Sequence, residues 1–179
     1  MIDIVLIAGP AGVGKTTVAH EVSLQLRTAG IPHAVIDTDS LDDLFPVPDD
    51  QWRLTEQNLA HVWRSFRERG SERLLLTGVY LHQPQELEWI SRATGADRMI
   101  LIELTAPDAA LQERVGRREI GSGGPSQLER TAAQAQRLAA ERTPEAILVQ
   151  TCGRSVPAIA AEIVALLGWS RRDPDDPPV

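Results

Sequence analysis

Short blocks of consecutive apolar residues alternate along this chain with longer segments whose apolar positions recur every three or four residues, and that alternation predicts its elements. Ile2 to Ala8 is an almost unbroken apolar run ended by Gly9 and Pro10, the pattern of a strand buried on both faces. From Thr16 to Ala29, Val18, Ala19, Val22, Leu24 and Leu26 give a helix one apolar side, and Gly30 and Pro32 stop it. Ala34 to Asp37 predicts a second strand, which runs into Asp37-Thr38-Asp39-Ser40. Leu41 to Asp50, rich in aspartate and proline, reads as a loop with at most one helical turn. Asp50 is placed to cap a helix through Gly70 whose apolar face is Trp52, Leu59, Val62, Trp63 and Phe66.

The second half repeats the alternation. Leu74 to Leu76 predicts a third strand closed by Thr77-Gly78, and Pro84 to Ala93 a helix with proline in its first turn. Arg98 to Leu104 predicts a fourth strand, and Pro107 to Arg118 a helix followed by the break Gly121-Ser122-Gly123-Gly124-Pro125. Gln127 to Arg142 is helix-prone, Ala146 to Gln150 a fifth strand and Val156 to Leu167 a closing helix. Strands alternating with helices imply parallel pairing and right-handed crossovers. The expected fold is α/β, with about five parallel strands and helices on both faces. One domain is expected over residues 1–169, with an acceptor region at about 40–70 and a lid at about 114–128. The proline- and charge-rich segment 170–179 is expected to be a disordered tail.

Composition narrows the function classes. Apolar residues make up 42% and aromatics 4%, so a core of mainly Leu, Val, Ile and Ala is expected. A net charge of −7 argues against general binding to nucleic acid or anionic membrane. Cys152 is the one cysteine, which fits a reducing compartment, and it reads as a small buried residue rather than a nucleophile. No apolar stretch is long enough to span a bilayer, and Asp3 stands where a secretory leader would be basic. A cytoplasmic monomer or homodimer is expected. The four histidines show no metal-ligand spacing. Of 18 basic residues a single one, Lys15, is lysine. Guanidinium and ammonium are not interchangeable where a compact point charge is needed, which singles out that position.

Lys15 lies in Gly9-Pro10-Ala11-Gly12-Val13-Gly14-Lys15-Thr16, which satisfies G-x-x-x-x-G-K-[ST] between a predicted strand and a predicted helix. In such a loop successive backbone N–H groups point inward at phosphate, and the positive end of the following helix adds to the field. Gly9, Ala11, Gly12, Val13, Gly14, Lys15, Thr16 and Thr17 are therefore the expected nucleotide-binding residues. Lys15 should reach the β- and γ-phosphates, and the Thr16 hydroxyl should ligate Mg²⁺.

Ligands in open α/β sheets lie at the carboxyl ends of the strands. Asp37 and Asp39, two apart, would project to one side if the segment stayed extended, with one carboxylate near Mg²⁺ and the other near a substrate hydroxyl. An Asx turn using one aspartate is the structural alternative. Arg114, Arg117 and Arg118 precede the glycine-rich break and could close over nucleotide as a lid, or form a solvated basic helix end.

Assembled, these residues resemble the P-loop small-molecule kinases: shikimate kinase, gluconate kinase, chloramphenicol phosphotransferase and adenylate kinase. Asp37-Thr38-Asp39 is similar to the Asp-x-Asp of shikimate kinase, which implies a metal role for Asp37 and the substrate hydroxyl for Asp39. Leu75-Leu76-Thr77-Gly78 resembles the strand-three motif of that family, but Val79 and Tyr80 stand where two further glycines contact shikimate, which argues against shikimate. Glu113 to Arg118 resembles the start of the adenylate kinase lid. That likeness implies Arg114 near the adenine and Arg117 or Arg118 near the transferred phosphate, the spacing here being one residue shorter. Adenylate kinase's Asp-Gly-Phe-Pro-Arg segment is absent, against a nucleoside monophosphate acceptor. Thr151 to Ser155 falls where these kinases pass an adenine-contacting loop, which makes Arg154 a candidate for the base.

The implied activity is an ATP- and Mg²⁺-dependent transfer of the γ-phosphate to a hydroxyl of a small molecule. Alternatives are a nucleotide-binding ATPase or switch acting on a protein partner, and a polynucleotide 5′-kinase; the last is weakened by the lack of a basic stripe with interleaved aromatics. In the acceptor region Trp52 reads as a core residue, with stacking on a sugar-like face as the alternative. Asp42, Asp43 and Asp49 would favour an amine-bearing acceptor, and Arg53 and Arg64 an acid, so the sequence points to no single substrate class.

Overall fold

Hydrogen-bond registers fix the central sheet as five parallel strands in the order β2-β3-β1-β4-β5. They are β1 (Asp3–Ala8), β2 (Ala34–Asp37), β3 (Arg73–Thr77), β4 (Arg98–Thr105) and β5 (Ile147–Gln150). The structure, a computed structural model, describes residues 1–79, 81, 83–118 and 133–169. The helices are α1 (Lys15–Thr28), α2 (Gln51–Arg67), α3 (Pro84–Thr94), α4 (Asp108–Arg118), α5 (133–140) and α6 (Val156–Leu167), with a 3₁₀ turn at Thr38–Ser40. Residues 119–128 of the expected lid, the break 121–124, the first part of the helix expected from Gln127, and the expected tail 170–179 lie outside the described residues, as does the Arg118 side chain.

The near-continuous apolar runs in the strands are explained by burial on both faces. Val5 and Ile7 of β1 pack with Val18, Val22 and Leu26 of α1 and Ile159 and Ile163 of α6. Ile4 and Leu6, pointing the other way, pack with Leu59 and Trp63 of α2 and Trp89 and Ile90 of α3. Fully burying one such side chain contributes about 1.5–3 kcal/mol. The core is largely aliphatic, as expected, but takes three of the four tryptophans: Trp63, Trp89 and Trp169 are all buried. Trp63 satisfies its Nε1–H on the Thr94 carbonyl at 3.0 Å, at the end of α3.

Four expectations change. Leu24 is exposed, because Val18, Val22 and Leu26 already define the buried side of α1 and position 24 turns away from it. Trp52 is half exposed, since it opens α2 one turn before that helix meets the sheet with Thr55 and Leu59. Asp50 occupies the N-cap position of α2, but its side chain makes no capping hydrogen bond. Cys152 is exposed, on the turn after β5.

The topology also creates the crevice. β1 leads to α1 on one face, whereas its neighbour β3 leads to α3 on the other, so the chain leaves adjacent carboxyl ends in opposite directions. Ligands of open α/β sheets lie at such a divergence.

Candidate functional site

The loop after β1 is shaped by what it packs on. Gly12 has φ 77°, and a Cβ there would meet Val115 Cγ2 of α4 at 2.7 Å and the Leu111 carbonyl at 3.0 Å. Only glycine lets the loop lie so close to α4. Gly14 sits at the N-cap of α1, so the helix begins directly under the loop with Lys15 and Thr16 in its first turn. Lys15 is buried, and its ammonium spans the loop, donating to the Gly9 carbonyl at 3.0 Å and the Pro10 carbonyl at 3.3 Å. Arg114 of α4 lies against the same loop: its Nη1 donates to Thr151 Oγ1 at 3.1 Å and to the Val13 carbonyl at 3.4 Å. α4, the phosphate loop and the turn after β5 are thereby joined through one guanidinium.

The aspartates separate. The chain does not stay extended after β2; it enters the 3₁₀ turn, with Asp37 at the N-cap accepting from the Asp39 N–H at 3.2 Å. Asp37 therefore makes the Asx turn and also receives the Thr16 hydroxyl at 3.1 Å. Asp39 instead lines a cavity of about 650 Å³ beyond the turn. One carboxylate thus points to the phosphate loop and the other to a separate chamber. Gly78, at the end of β3, makes this turn possible, since a Cβ there would collide with Thr38 Oγ1, whose hydroxyl donates to the Thr77 carbonyl at 2.9 Å.

Thr77 supplies a test of whether a cation fits beside Asp37. It pairs with Asp37 in register, so both side chains leave the sheet on the α1 face, and its buried hydroxyl has no hydrogen-bond partner. Buried hydroxyls without partners are costly. With Thr16 and Asp37 it makes a hard oxygen set of the kind Mg²⁺ takes, with water completing the shell.

Beyond Asp39, the cavity is lined by Asp42, Trp52, Glu86, Trp89 and Gln134 among others. Asp42 Oδ2 accepts from Thr55 Oγ1 at 2.9 Å, and Glu86 Oε2 from Trp89 Nε1 at 2.7 Å. Burial pushes the Glu86 carboxyl above its ordinary range, against the opposing effects of the Trp89 hydrogen bond and the charge of Arg137. Gln134 of α5 reaches both chambers: it lines the cavity, and its Oε1 accepts from the Ala11 N–H of the phosphate loop at 3.3 Å.

The remaining expected site residues fall elsewhere. Thr17 is exposed on the first turn of α1. Arg117 is exposed and pairs with Glu113 on its own helix at 2.7 Å. Arg154 is held by Glu162 of α6 at 2.6 Å, with further bonds to the Gln150 and Ala158 carbonyls. Glu86, Trp89 and Gln134 were not anticipated, whereas Thr77 was, as the end of the third strand. Glu86 and Trp89 lie in a segment that reads in sequence only as a helix, and Gln134 in a uniformly helix-prone stretch.

The fold has clear counterparts. A gluconokinase from Sinorhizobium meliloti superposes with a TM-score of 0.61 at 18% identity, covering 92% of this chain and 91% of that one. A tunicamycin resistance protein from Deinococcus radiodurans gives 0.64 at 17% identity, covering 95% and 98%. Shikimate kinase from Acinetobacter baumannii, in complex with shikimate, gives 0.56 at 19%, covering 93% and 92%. The fold is thus that of the P-loop kinases. No curated protein matches the sequence. The model of the AAA domain family matches residues 4–143, from β1 through the phosphate loop and both aspartates past the end of α5, and to that family this chain belongs.

Proposed function

We propose that this protein is a kinase that moves the γ-phosphate of ATP to a hydroxyl of a small molecule. One observation carries the reading: Asp37 and Asp39, two residues apart, are divided between the phosphate loop and an open cavity large enough for a metabolite. A nucleotide switch needs the first chamber alone. The second, with a carboxylate at its mouth, suits an acceptor whose hydroxyl must be oriented and relieved of its proton.

In this reading the loop N–H groups and Lys15 bind the β- and γ-phosphates, and Arg114 holds the nucleotide between the loop and the Thr151 turn. Thr16 and Asp37 would hold Mg²⁺, which supplies charge neutralisation of the phosphates when bound. Asp39 orients the acceptor hydroxyl and receives its proton. Arg117 or Arg118 stabilises the charge of the transferring group, and Arg154 lies by the base. Two of the structural neighbours carry the name of a kinase for a small hydroxylated acid, which supports the reaction class.

A second reading, a nucleotide-dependent switch acting on a protein partner, is favoured by one observation. Leu44, Phe45 and Val47, between Asp42 and Trp52, are all more than half exposed. ADP release from Mg·ATP, measured against hydroxylated metabolites, antibiotics and nucleosides, separates the two. The kinase reading expects at least one compound to raise ADP release well above basal hydrolysis with stoichiometric formation of a phosphomonoester. Stimulation by a protein partner alone, with no phosphorylated small product, would establish the switch instead.

A further inference from the structure

Gln134 stands where the phosphate loop and the acceptor cavity meet. α5 holds it there: Ala135, next in the chain, packs against the core shared by α1 and α6, and Leu138, one turn on, is buried. Just past the helix, the Glu141 carboxylate accepts from the side-chain amide of Gln83, the N-cap residue of α3. Gln134 itself is partly buried. Its Oε1 accepts from the Ala11 N–H at 3.3 Å, and its side chain lines the cavity together with Asp39, Trp52 and Trp89. A backbone N–H only donates, so it is the amide oxygen that faces the loop. The two N–H groups of the same amide have no partner among the described residues.

Ala11 shares a peptide with Pro10, and that peptide is engaged at both poles. Its carbonyl accepts from the Lys15 ammonium at 3.3 Å, and its N–H donates to Gln134. Each contact is one that a phosphate replaces. A phosphate oxygen accepts hydrogen bonds strongly, so it draws an ammonium from a carbonyl and takes the place of an amide oxygen on an N–H. In the transfer the γ-phosphoryl group has to lie between the loop and an acceptor in the cavity, which is where the Gln134 amide reaches Ala11. The inner phosphate belongs by contrast at the N-terminus of α1, with Gly14, Lys15 and Thr16.

Resting on the kinase reading above, we infer that Gln134 is a positioning residue that registers the γ-phosphate. A γ-phosphate oxygen displaces its Oε1 from the Ala11 N–H, and the released amide turns into the cavity to hold an oxygen of the acceptor. An amide suits this exchange because its oxygen serves the loop while its N–H groups serve the acceptor. The acceptor meets its full set of contacts only with a triphosphate in the loop, and with ADP the amide stays on Ala11. By linkage, an acceptor held by the amide favours the triphosphate in return. Gln134 takes no part in the covalent step.

Calorimetric titration of the full chain with Mg·AMP-PNP and with Mg·ADP tests the nucleotide half of this exchange. Tryptophan emission tests the cavity half, since Trp52 and Trp89 line it. Gln134→Ala removes the competing bond, so its affinity for Mg·AMP-PNP should rise about 3- to 10-fold, the worth of one net hydrogen bond. Its affinity for Mg·ADP should stay within about 2-fold of wild type, which also reports an intact loop. A purely structural role would instead lower both affinities together. In the wild type Mg·AMP-PNP should shift the tryptophan emission and Mg·ADP should not, and Gln134→Ala should lose the shift. Unchanged or weaker binding of Mg·AMP-PNP by the variant, an equal change for both nucleotides, no emission shift in the wild type, or a shift that survives the substitution overturns the inference. Any of these beside a hydroxylated compound that raises ADP release would leave the kinase reading standing. Tightening confined to Mg·AMP-PNP, with ADP release raised by a protein partner alone, would leave Gln134 on the γ-phosphate and overturn the kinase reading.

Discussion

The Thr16 hydroxyl donates to Asp37 Oδ2 at 3.1 Å, joining the first turn of α1 to the end of β2. The other oxygen of the same carboxylate holds the Asp39 N–H and so shapes the turn that brings Asp39 to the cavity lined by Trp52 and Trp89. Asp37→Asn keeps an oxygen for that turn but removes the charge. Its stability should therefore change by no more than about 1 kcal/mol. The Mg²⁺ concentration giving half-maximal ADP release should rise about 10- to 100-fold, the range seen when a residue supporting a metal is removed. An unchanged Mg²⁺ requirement would take Asp37 away from the metal.

Asp39 is expected to act on the acceptor alone. Asp39→Asn should lower turnover at least about 100-fold, the usual contribution of a positioned general base, with ATP affinity little altered. Steady-state kinetics with the acceptor found in the ADP-release screen, beside equilibrium binding of ATP, make the comparison. A matching loss of ATP affinity would place Asp39 on the nucleotide side.

How far the sequence carried this site depends on how local each relationship is. The phosphate loop was legible because strand, glycines, Lys15 and helix are consecutive, and the fold class because apolar runs alternate with helical patterns. The division of labour between Asp37 and Asp39 was not, since it turns on a 3₁₀ turn that needs Gly78, some forty positions on, to make room for Thr38. Trp52 was misread for a similar reason: its spacing suits the buried side of α2, but the sheet does not extend beneath the start of that helix. The charge of the cavity was ambiguous in sequence because Arg53 and Arg64 are as near to the acceptor segment along the chain as the aspartates are. Only packing shows Arg53 lying over the Trp52 ring, with neither guanidinium lining the cavity.

Beyond the site, Arg142 and Glu103 tie the chain that follows α5 to the middle of the sheet. Glu103 is 3% exposed and receives two hydrogen bonds from Arg142, each 2.8 Å. Arg142→Ala leaves that carboxylate buried without a countercharge, and should destabilise the protein by about 3 kcal/mol. The low end of the range for buried pairs applies because Arg142 keeps about a third of its side chain in water. Adding Glu103→Gln should recover a good part of the loss in urea unfolding. Full additivity of the two substitutions would mean that the pair is not coupled.

His33 gives stability a pH dependence of known sign. Burial, opposed by the Ile31 carbonyl and assisted by the charges of Arg27 and Arg73, holds its pKa below the ordinary value of 6.5. Its ring bridges Ser23 Oγ at 2.7 Å and the Ile31 carbonyl at 2.8 Å, an arrangement the neutral ring satisfies with Nδ1 donating and Nε2 accepting. The unfolded chain thus binds a proton more readily than the native one. This contribution is fully present above the unfolded pKa and is lost as pH falls from there through the lower native pKa. The urea midpoint should fall from pH 7.5 to pH 5.5, with a smaller fall in His33→Gln. Identical slopes for the two proteins would remove His33 as the source.

Lys15 returns the question of why one lysine survives among so many arginines. Its ammonium, on a stem that is 9% exposed, fits between the Gly9 and Pro10 carbonyls at 3.0 and 3.3 Å. Gly12 is pressed against α4 and Gly14 begins α1, so the loop cannot widen without moving both helices. A guanidinium is planar and broader, and its five donors are set in a fork, whereas an ammonium can leave two carbonyls for phosphate oxygens by rotating its stem. Lys15→Arg should therefore keep the fold, with a melting temperature within a few degrees of wild type, about the shift that 1 kcal/mol produces. Turnover should fall by at least about 1,000-fold, in line with the loss of a charge aimed at the transferring group. Lys15→Ala should be no worse in turnover than Lys15→Arg, because the arginine charge cannot reach the γ-phosphate from this loop. Near-normal turnover in Lys15→Arg would show that the loop accepts either cation and that the lone lysine has no chemical cause.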